Sequence, residues 1–417
     1  KPDTLRAWER RYGLPMPQRT GGGHRLYSQH DIEMIKWLMQ RQEEGMRINR
    51  AVELWRNIAS GGTDPLSETN PIGGGEQWVE PPMISGTSLQ EIRDGWVEAC
   101  LAYDEGRAER MLSQSFALYP VELVCVEVLQ RGIVEIGERW YRSEVTVQQE
   151  HFASGLVLRR LEALIAASPA PTRMEKIVVG CPAQEEHVMA ALMTTLFLRR
   201  HGYDVIYLGA NVPLVDLEKA VSFTQAKLVV LIASQLHTAA NILEAAHTLK
   251  DAGIPVAFGG SIFARRASLS KNIPGYYLGD RLDRVAQEVE MVLKFPGSLG
   301  DRGKQNQINI AAKRTLEESQ SIIKADIWDR MRNQGIHEHT LQFANDALMQ
   351  DILSALALND LDSVKLEIEW VGTLLTHQKL PRTMLSDYLM VFAVAIARHA
   401  GEEAKLVSDW LVAAAAI

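Results

Sequence analysis

The feature that most constrains the fold of this chain is an alternation of strands and helices between Glu175 and Gly260. An apolar, β-branched run at Lys176–Gly180 has the composition of a strand, and an amphipathic helix follows at about Val188–His201. Further strand-like runs lie at Asp204–Leu208, Lys227–Ala233 and Pro255–Phe258. Strands that alternate with helices in this way predict a parallel, doubly wound sheet.

Polar and small residues follow three of these predicted strands. Glu185 and His187 follow the first strand, and Gly259–Gly260 follow the last. Ser234 and Leu236 follow the strand that begins at Lys227. Because ligands of such sheets bind beyond the carboxyl ends of the strands, we expect all of these residues to face one crevice. An imidazole beside a carboxylate is suited to metal ligation, and the alternative is a flavodoxin-like domain with an ordinary loop histidine.

This arrangement resembles the cobalamin-binding domain, whose pattern is Asp-x-His-x-x-Gly, then Ser-x-Leu, then Gly-Gly. The corresponding segments are Glu185–Ala190, Ser234–Leu236 and Gly259–Gly260, with Glu in place of Asp and Ala in place of the first Gly. The resemblance implies that His187 is the lower cobalt ligand and that Glu185 orients its ring. It also implies that the cofactor is bound by Ser234, Leu236, Gly259 and Gly260.

Length and composition are those of a globular chain with several domains. The 417 residues are enough for about three domains, and 46% of them are hydrophobic. The three cysteines, at positions 100, 125 and 181, are too few and too scattered for a disulfide framework or a zinc site. With no run of 18 apolar residues and no signal peptide, we expect a cytoplasmic protein without a membrane segment.

The first 60 residues are basic, whereas the rest of the chain is acidic. Eleven Lys and Arg against seven Asp and Glu give residues 1–60 a charge of +4, which leaves −12 for the remainder of a chain with −8 in total. A basic head on an acidic body indicates that one end meets a polyanion. Residues 2–12 have a helical pattern, a loop rich in Pro and Gly follows, and a second helix is predicted at Gln29–Glu44.

The stretch that begins at Leu5 reads LRAWERRYGLPMPQRTGGGHRLYS and resembles the winged helix-turn-helix of the MerR family. The resemblance covers about sixty residues. It implies that a helix at Arg6–Tyr12 enters the major groove of double-stranded DNA and that the wing contacts the backbone. The implied DNA-binding residues are Arg6, Arg10, Arg11, Tyr12, Arg19, His24, Arg25 and Tyr27. The family's first helix has no counterpart from Lys1 onward, so we expect it to precede this residue. The alternative is a solvated basic helix.

Four helices are predicted at residues 88–167, after a Gly-, Pro- and Ser-rich linker at residues 61–87. Ser88 and Thr146 have the position and chemistry of helix N-caps. A bundle directly before a cobalamin domain resembles methionine-synthase-like modules. In those modules the bundle covers the upper face of the corrin ring.

Within this bundle, Trp140 is followed after nine residues by Glu150-His151, a pattern that resembles the CarH-type light-sensing regulators. The resemblance implies that Trp140, Val147, Glu150 and His151 surround the 5′-deoxyadenosyl group of adenosylcobalamin. In that family a histidine directly after the tryptophan ligates cobalt after photolysis, whereas this chain has Tyr141, so His151 or water would take the open position. Taken without the neighbouring motifs, the tryptophan would be a bundle-core residue and Glu150-His151 a surface pair.

The final 120 or so residues extend beyond this resemblance. After a polar linker at Gly300–Lys313, helices are predicted at Thr315–Gln334, Thr340–Leu358, Leu361–His377, Pro381–His399 and Glu402–Ala415. One interpretation is an oligomerisation or effector-coupling bundle. The other is a second tetrapyrrole pocket that uses His337, His339, His377 or His399. No cysteine follows position 181, so a thioether-linked chromophore is excluded in this segment.

Together these patterns predict a multidomain protein of α and α/β class. Its expected parts are a winged helix-turn-helix head at 1–60, a linker at 61–87, a four-helix bundle at 88–167, a Rossmann-like (flavodoxin-like) parallel-sheet cobalamin domain at 175–296 and a C-terminal helical domain at 313–417.

The resemblances imply a light-responsive transcriptional repressor that uses adenosylcobalamin as its chromophore. Photolysis of the Co–C bond would change the oligomeric state of a dimer or tetramer and its affinity for DNA. Three alternatives remain open: a sensor of cobalamin supply, a cobalamin-independent regulator that acts through protein partners, and a cobalamin-dependent mutase or methyltransferase. No segment has the βα repeat of a substrate barrel of about 250 residues, so we do not expect an enzyme.

Overall fold

Two separate units make up the chain, Lys1–Ile84 and Ser85–Ile417. A computed structural model describes residues 8–15, 18–19, 25–43, isolated positions between 48 and 56, residues 88–295, 306–332, 338–377 and 383–416, and the single positions 297, 303 and 381. Within these ranges, no helix combines the length and the apolar character needed to cross a membrane.

The head unit is built around tryptophan side chains. Residues 8–12 are helical, and Trp8, Trp37 and Trp55 are each at most 7% exposed. The rings of Trp37 and Trp55 meet edge to face, with centroids 5.3 Å apart, an arrangement that aromatic pairs prefer. A small apolar core therefore fixes the helix at residues 8–12 against the rest of the head.

The predicted wing is present as a short antiparallel pair. Strand β1 (Gln18–Arg19) pairs with β2 (Arg25–Leu26), and helix α1 (Gln29–Glu43) follows directly. Asp31 accepts hydrogen bonds from the backbone amide and hydroxyl of Ser28, while the Ser28 hydroxyl accepts from the Asp31 amide. This reciprocal pairing fixes the start of α1. The buried face of α1 carries Met34, Trp37 and Leu38, whereas Ile32 is 39% exposed.

Four helical stretches follow residue 88, as predicted. They are α2 (Leu89–Leu101), α3 (Glu105–Leu118), a composite stretch of α4 (Val121–Val124), a π-helical segment (Cys125–Gln130) and α5 (Arg131–Tyr141), and α6 (Val147–Ala166). Capping boxes at Ser88 with Glu91 and at Thr146 with Gln149 start α2 and α6. The Thr146 box determines where the turn between α5 and α6 ends.

A five-stranded parallel sheet lies at the centre of the second unit. Its strands are β3 (Lys176–Pro182), β4 (Asp204–Val212), β5 (Leu228–Ile232), β6 (Val256–Gly259) and β7 (Tyr276–Tyr277), in the order β4-β3-β5-β6-β7. All pairs are parallel, which confirms the doubly wound prediction and adds the short fifth strand. The order reverses between β3 and β5, and ligands of such sheets bind at this switch point.

The strands are connected and covered by helices α7 (Met189–Arg200), α8 (Leu217–Thr224), α9 (Leu236–Asp251), α10 (Ser261–Arg265) and α11 (Val285–Lys294). Alternate strand residues enter two different apolar cores, as the period of two in a strand requires. Ile177 and Val179 pack with the bundle, α7 and α11. Val178 and Val229 pack with α9 and the C-terminal helices. The sheet is therefore buried on both faces.

The C-terminal segment is helical, as predicted. It contains α12 (Gln307–Met331), α13 (Glu338–Ala357), α14 (Lys365–His377), α15 (Thr383–His399) and α16 (Lys405–Ala415), with single 3₁₀ turns before α14 and α16. Helix α12 begins at Gln307 rather than Thr315, within the expected linker, because the Asn306 side chain accepts from the Ile308 amide and caps it. Helices α12–α16 share one core with α9, so the described part of this segment is packed onto the sheet domain.

Candidate functional site

The loop after β3 carries the central pair of the site. The amide of Glu185 donates to the carbonyl of Pro182, the last residue of β3, and Gln184 has a left-handed φ of 66°. The Asn211 side chain at the end of β4 accepts from the Gln184 amide at 2.8 Å, and the Asn241 side chain of α9 donates to the Ala183 carbonyl at 2.7 Å. The loop is therefore fixed by neighbouring elements as well as by its own turn.

Glu185 is fully buried and accepts from four donors. One carboxylate oxygen accepts from Nδ1 and the backbone amide of His187, at 2.7 and 3.0 Å. The other accepts from the Ser234 amide at 2.6 Å and from the Thr238 hydroxyl at 2.7 Å. A buried carboxylate is tolerated only when it is satisfied in this way. The carboxylate thus joins the loop after β3 to the segment after β5.

Both members of the pair have shifted pKa values. Burial would raise the pKa of Glu185, but the hydrogen bonds from His187, Ser234 and Thr238 outweigh it and lower that pKa to about 2. The hydrogen bond to Glu185 raises the pKa of His187, and the charges of Glu185, Glu150 and Glu186 add to the effect, against the opposing effect of burial. Glu185 is therefore ionised throughout the physiological range.

The orientation of the His187 ring suits a metal ligand. Because the ionised carboxylate can only accept, Nδ1 carries the hydrogen and Nε2 has the free lone pair in the neutral ring. The His187 side chain is 63% exposed, and no partner of Nε2 occurs among the described residues. A carboxylate-oriented imidazole with one accessible nitrogen is the donor that cobalamin needs on its lower face, so these residues fit the cofactor.

The other predicted residues of this crevice lie just after β5 and at the end of β6. Ser234 contacts it directly, whereas Leu236 is 1% exposed and packs in the core at the start of α9. Gly259 ends β6, and Gly260 has a φ of 121°, where a Cβ would overlap the Ala233 carbonyl. The structure thus brings the ends of β3, β5 and β6 together, as the sequence indicated.

The predicted residues of the bundle lie at the end of α5 and in the first turn and a half of α6. Trp140 and Val147 are 37% and 41% exposed. Glu150 accepts from the Ser154 hydroxyl and lies 2.7 Å from Nδ1 of His151, whose side chain is 75% exposed. The charge of Glu150 also contributes to the raised pKa of His187, so the two side chains interact electrostatically.

In the head, the predicted DNA-binding residues divide into three groups. Arg10 and Arg11 are exposed, whereas Tyr12 packs against the tryptophan core and Tyr27 is partly buried. Arg25 forms a 2.7 Å salt bridge with Glu9, which ties the wing to the helix. Arg6, His24 and the side chain of Arg19 lie outside the described residues.

The histidines considered for a second tetrapyrrole do not all remain available. Nε2 of His399 lies 3.0 Å from Asp326, so this imidazole is engaged within the helical domain. His339 is exposed on α13. His337 and the side chain of His377 lie outside the described residues.

Several residues of the site were missed by sequence reasoning. Thr238 completes the donor set of Glu185, and Asn211 and Asn241 hold the loop before it. A hydroxyl in the first turn of the helix after Ser234 was a usable signal for Thr238. The two asparagines carry no such signal, because their roles depend on how β4 and α9 pack beside β3.

Three segments of the chain match known family models. Residues 92–165 and residues 175–282 each match a family model described as a B12 binding domain, and residues 1–58 match one described as the MerR HTH family regulatory protein. Among solved structures, the monomethylamine corrinoid protein of Methanosarcina barkeri is 15% identical with a TM-score of 0.43, over 49% of this chain and 100% of that chain. Fold, site and family models define a transcriptional regulator with a MerR-type head and a cobalamin-binding domain.

Two relatives are more similar in sequence. The HTH-type transcriptional repressor CarH of Myxococcus xanthus is 33% identical over 262 residues, which cover 62% of this chain and 84% of that protein. The HTH-type transcriptional repressor CarA of the same organism is 30% identical over 220 residues, 52% of this chain and 66% of that protein. The chain belongs to the CarH family of transcriptional regulators.

Proposed function

We propose that this protein is a light-responsive transcriptional repressor that uses adenosylcobalamin as its chromophore. The observation that carries the proposal is the pair of Glu185 and His187, which leaves one imidazole nitrogen free at the switch point of the sheet. The similarity of the chain to two HTH-type transcriptional repressors supports the regulatory role. Glu150 of α6, whose charge contributes to the raised pKa of His187, supports a ligand between the bundle and the sheet domain.

The cofactor would be held from two sides. His187 would ligate cobalt through Nε2, with Glu185 fixing the ring, and Ser234, Leu236, Gly259 and Gly260 would form the lower pocket. From the bundle, Trp140, Val147, Glu150 and His151 would enclose the upper ligand. When bound, adenosylcobalamin supplies a light-sensitive carbon–cobalt bond.

The response to light would arise in the bundle. In the dark, Trp140 and Val147 would pack on the adenosyl group and brace the α5–α6 turn against the sheet domain. Without that group both side chains lose a packing partner, so the turn favours a different position. A ligand that favours one of two states shifts their populations in this way.

The output would be a change in DNA binding by an oligomer. Arg10 and Arg11 are exposed on the head helix and would contact DNA, with Arg6, Tyr12, Arg19, His24, Arg25 and Tyr27 completing the surface. Several tethered heads of a dimer or tetramer bind with a high effective concentration, so loss of the oligomer would release DNA. The proposed division is a head at 1–60, a cap bundle at 88–167, a cobalamin domain at 175–296 and a helical domain at 313–417, with no enzymatic domain.

Selection of DNA duplexes from a random library tests this proposal. The duplex is selected with the full chain loaded with adenosylcobalamin in the dark, and its binding is then compared in the dark and after green light. We expect illumination to weaken binding, with hydroxocobalamin-loaded protein behaving as the illuminated form. If DNA binding requires the cofactor but is equal in the dark and in the light, the protein is a sensor of cobalamin supply. Binding that ignores cobalamin would indicate a cobalamin-independent regulator.

A further inference from the structure

The loop that carries Glu185 and His187 is held by the C-terminal helical domain as well as by the sheet domain. Gln350 of α13 donates from Nε2 to Oε1 of Gln184 at 2.7 Å. Gln184 directly precedes Glu185 and holds the left-handed backbone of the loop. A residue of the C-terminal domain therefore reaches to within one position of the carboxylate that orients His187.

A second contact reaches the same carboxylate from another direction. The Arg265 guanidinium at the end of α10 donates to the Ser234 carbonyl at 2.7 Å and lies 3.9 Å from the carboxylate of Glu367 on α14. Ser234 is the residue whose amide donates to Glu185. The path from the C-terminal domain to the site thus runs from Glu367 through Arg265 and Ser234 to Glu185.

Further polar contacts hold the C-terminal helical domain against the cobalamin domain. Arg266 forms a bidentate pair with Asp360, at 2.9 and 2.7 Å, and the Ser268 hydroxyl donates to the same carboxylate. The Asn272 side chain donates to the Leu358 carbonyl at 2.6 Å. Together with the apolar core shared with α9, these contacts fix the C-terminal domain on the cobalamin domain. Gln350 and Glu367 project from that fixed body toward the site.

We propose that Gln350, Arg265 and Glu367 are positioning residues, through which docking of the C-terminal helical domain and ligation of cobalt by His187 are coupled. The inference rests on the proposed cobalamin site and extends it by giving the C-terminal domain a role. Coupling between two sites is reciprocal. The helical domain therefore raises the affinity of His187 for cobalt. Cofactor binding in turn stabilises the docked position of the helical domain by the same coupling free energy.

Two double variants of the full chain test this coupling. Gln350→Ala with Glu367→Gln removes both contacts to the site. The matched control, Gln342→Ala with Glu369→Gln, changes the same residue types on the same two helices. The Gln342 side chain donates to Glu338 on its own helix, and Glu369 is exposed and makes no side-chain contact in the described structure.

Hydroxocobalamin is the probe, since it tests ligation without light. Its titration is followed by the absorbance of the histidine-ligated form, and amide exchange is measured over α13 and α14 with and without cofactor. We expect the test variant to bind about 5- to 50-fold more weakly, in the usual range for coupled sites, and to lose the cofactor-dependent protection of α13 and α14. The exchange data also report whether each variant is folded.

Three outcomes would overturn the inference. If the test and control variants have identical binding and spectra, the two sites are not coupled, although the cobalamin site itself is intact. The coupling is also contradicted if the wild type ligates hydroxocobalamin but amide exchange over α13 and α14 does not change. Failure of the wild type to bind hydroxocobalamin at all would overturn the proposed function as well, and so distinguishes the two failures.

Discussion

Glu185 concentrates most of the chemistry of the site in one side chain. Each of its two oxygens accepts from two donors. One oxygen is bonded within the loop, by His187, and the other is bonded by Ser234 and Thr238, which approach it only in the folded chain. The sequence predicted the pairing of Glu185 with His187, because the two residues are close in sequence. It could not predict the Thr238 contact, which depends on the strand order β3-β5 and on the rotamer of a threonine 53 positions away.

Replacement of Glu185 by glutamine tests this arrangement at a single atom. The amide NH₂ of Gln must face either the two His187 donors or the Ser234 and Thr238 donors. On either side at least the contact with a backbone amide, of His187 or of Ser234, becomes donor against donor. We expect cobalamin affinity to fall about 10- to 100-fold, the usual effect of losing the partner of a metal-bound histidine. Glu186→Gln, at the exposed neighbouring position, is the control and should bind normally at a pH well above the raised pKa of His187. An unchanged affinity of Glu185→Gln in a titration would rule out the orienting role.

The raised pKa of His187 predicts a pH dependence of cofactor binding. Nε2 must lose its proton before it can ligate cobalt, so protons and cobalt compete for this nitrogen. Because the hydrogen bond to Glu185 raises the pKa of His187 above 6.5, affinity should fall as the pH drops through that raised value and should be constant well above it. Glu185 stays ionised in this window, since its pKa is about 2. Calorimetry in buffers of different ionisation enthalpy should detect proton release near pH 6.5; no release would contradict the prediction.

At the scale of elements, the site depends on how closely the ends of β5 and β6 approach. Gly260 has a positive φ and lies against the backbone of Ala233, so no side chain fits there. The sequence indicated these glycines by resemblance, and strand alternation predicted the parallel sheet. The extension of β4 to Val212 was not predicted, because it depends on pairing with the end of β3. The early start of α12 was missed although its cap, Asn306, is a local feature of the sequence.

Gly260→Ala should destabilise the sheet by more than the cost of placing an alanine at a positive φ. The positive φ costs about 1–2 kcal/mol for an L-residue, and the overlap with the Ala233 carbonyl adds to it, for a total above about 3 kcal/mol. Gly279→Ala is the control, since Gly279 has a φ of 77° but no atom lies within 4 Å of the position that its Cβ would take. Amide exchange in β5 and β6 measures both effects. Equal effects of the two substitutions would show that the close approach is unimportant.

The salt dependence of DNA binding can distinguish arginines that contact phosphate from arginines that do not. Arg10 and Arg11 are exposed, so Arg10→Ala and Arg11→Ala should each reduce the slope of log affinity against log salt by about 0.9, as expected for one lost phosphate contact. Arg159→Ala, at an exposed arginine of the bundle that pairs with Glu105, is the control and should leave the slope unchanged. Unchanged slopes for both head variants would exclude them as phosphate contacts.

At the scale of the whole molecule, two helical domains pack on opposite faces of one sheet. The bundle, α7 and α11 form one core with it, and α9 with the C-terminal helices forms the other. The sequence predicted helices in the C-terminal segment but not their place, because an amphipathic pattern shows that a face is buried without showing what covers it. Of the two interpretations of this segment, the contacts through Gln350 and Glu367 favour coupling to the cobalamin site.

The measurement that tests the central claim most directly is size-exclusion chromatography with an in-line absorbance spectrum. The full chain is loaded with adenosylcobalamin in the dark and run before and after green light. The proposal predicts that light changes the cobalamin spectrum and, in the same sample, shifts the protein to a smaller assembly. A cofactor that stays bound while neither its spectrum nor the size of the protein responds to light would contradict it.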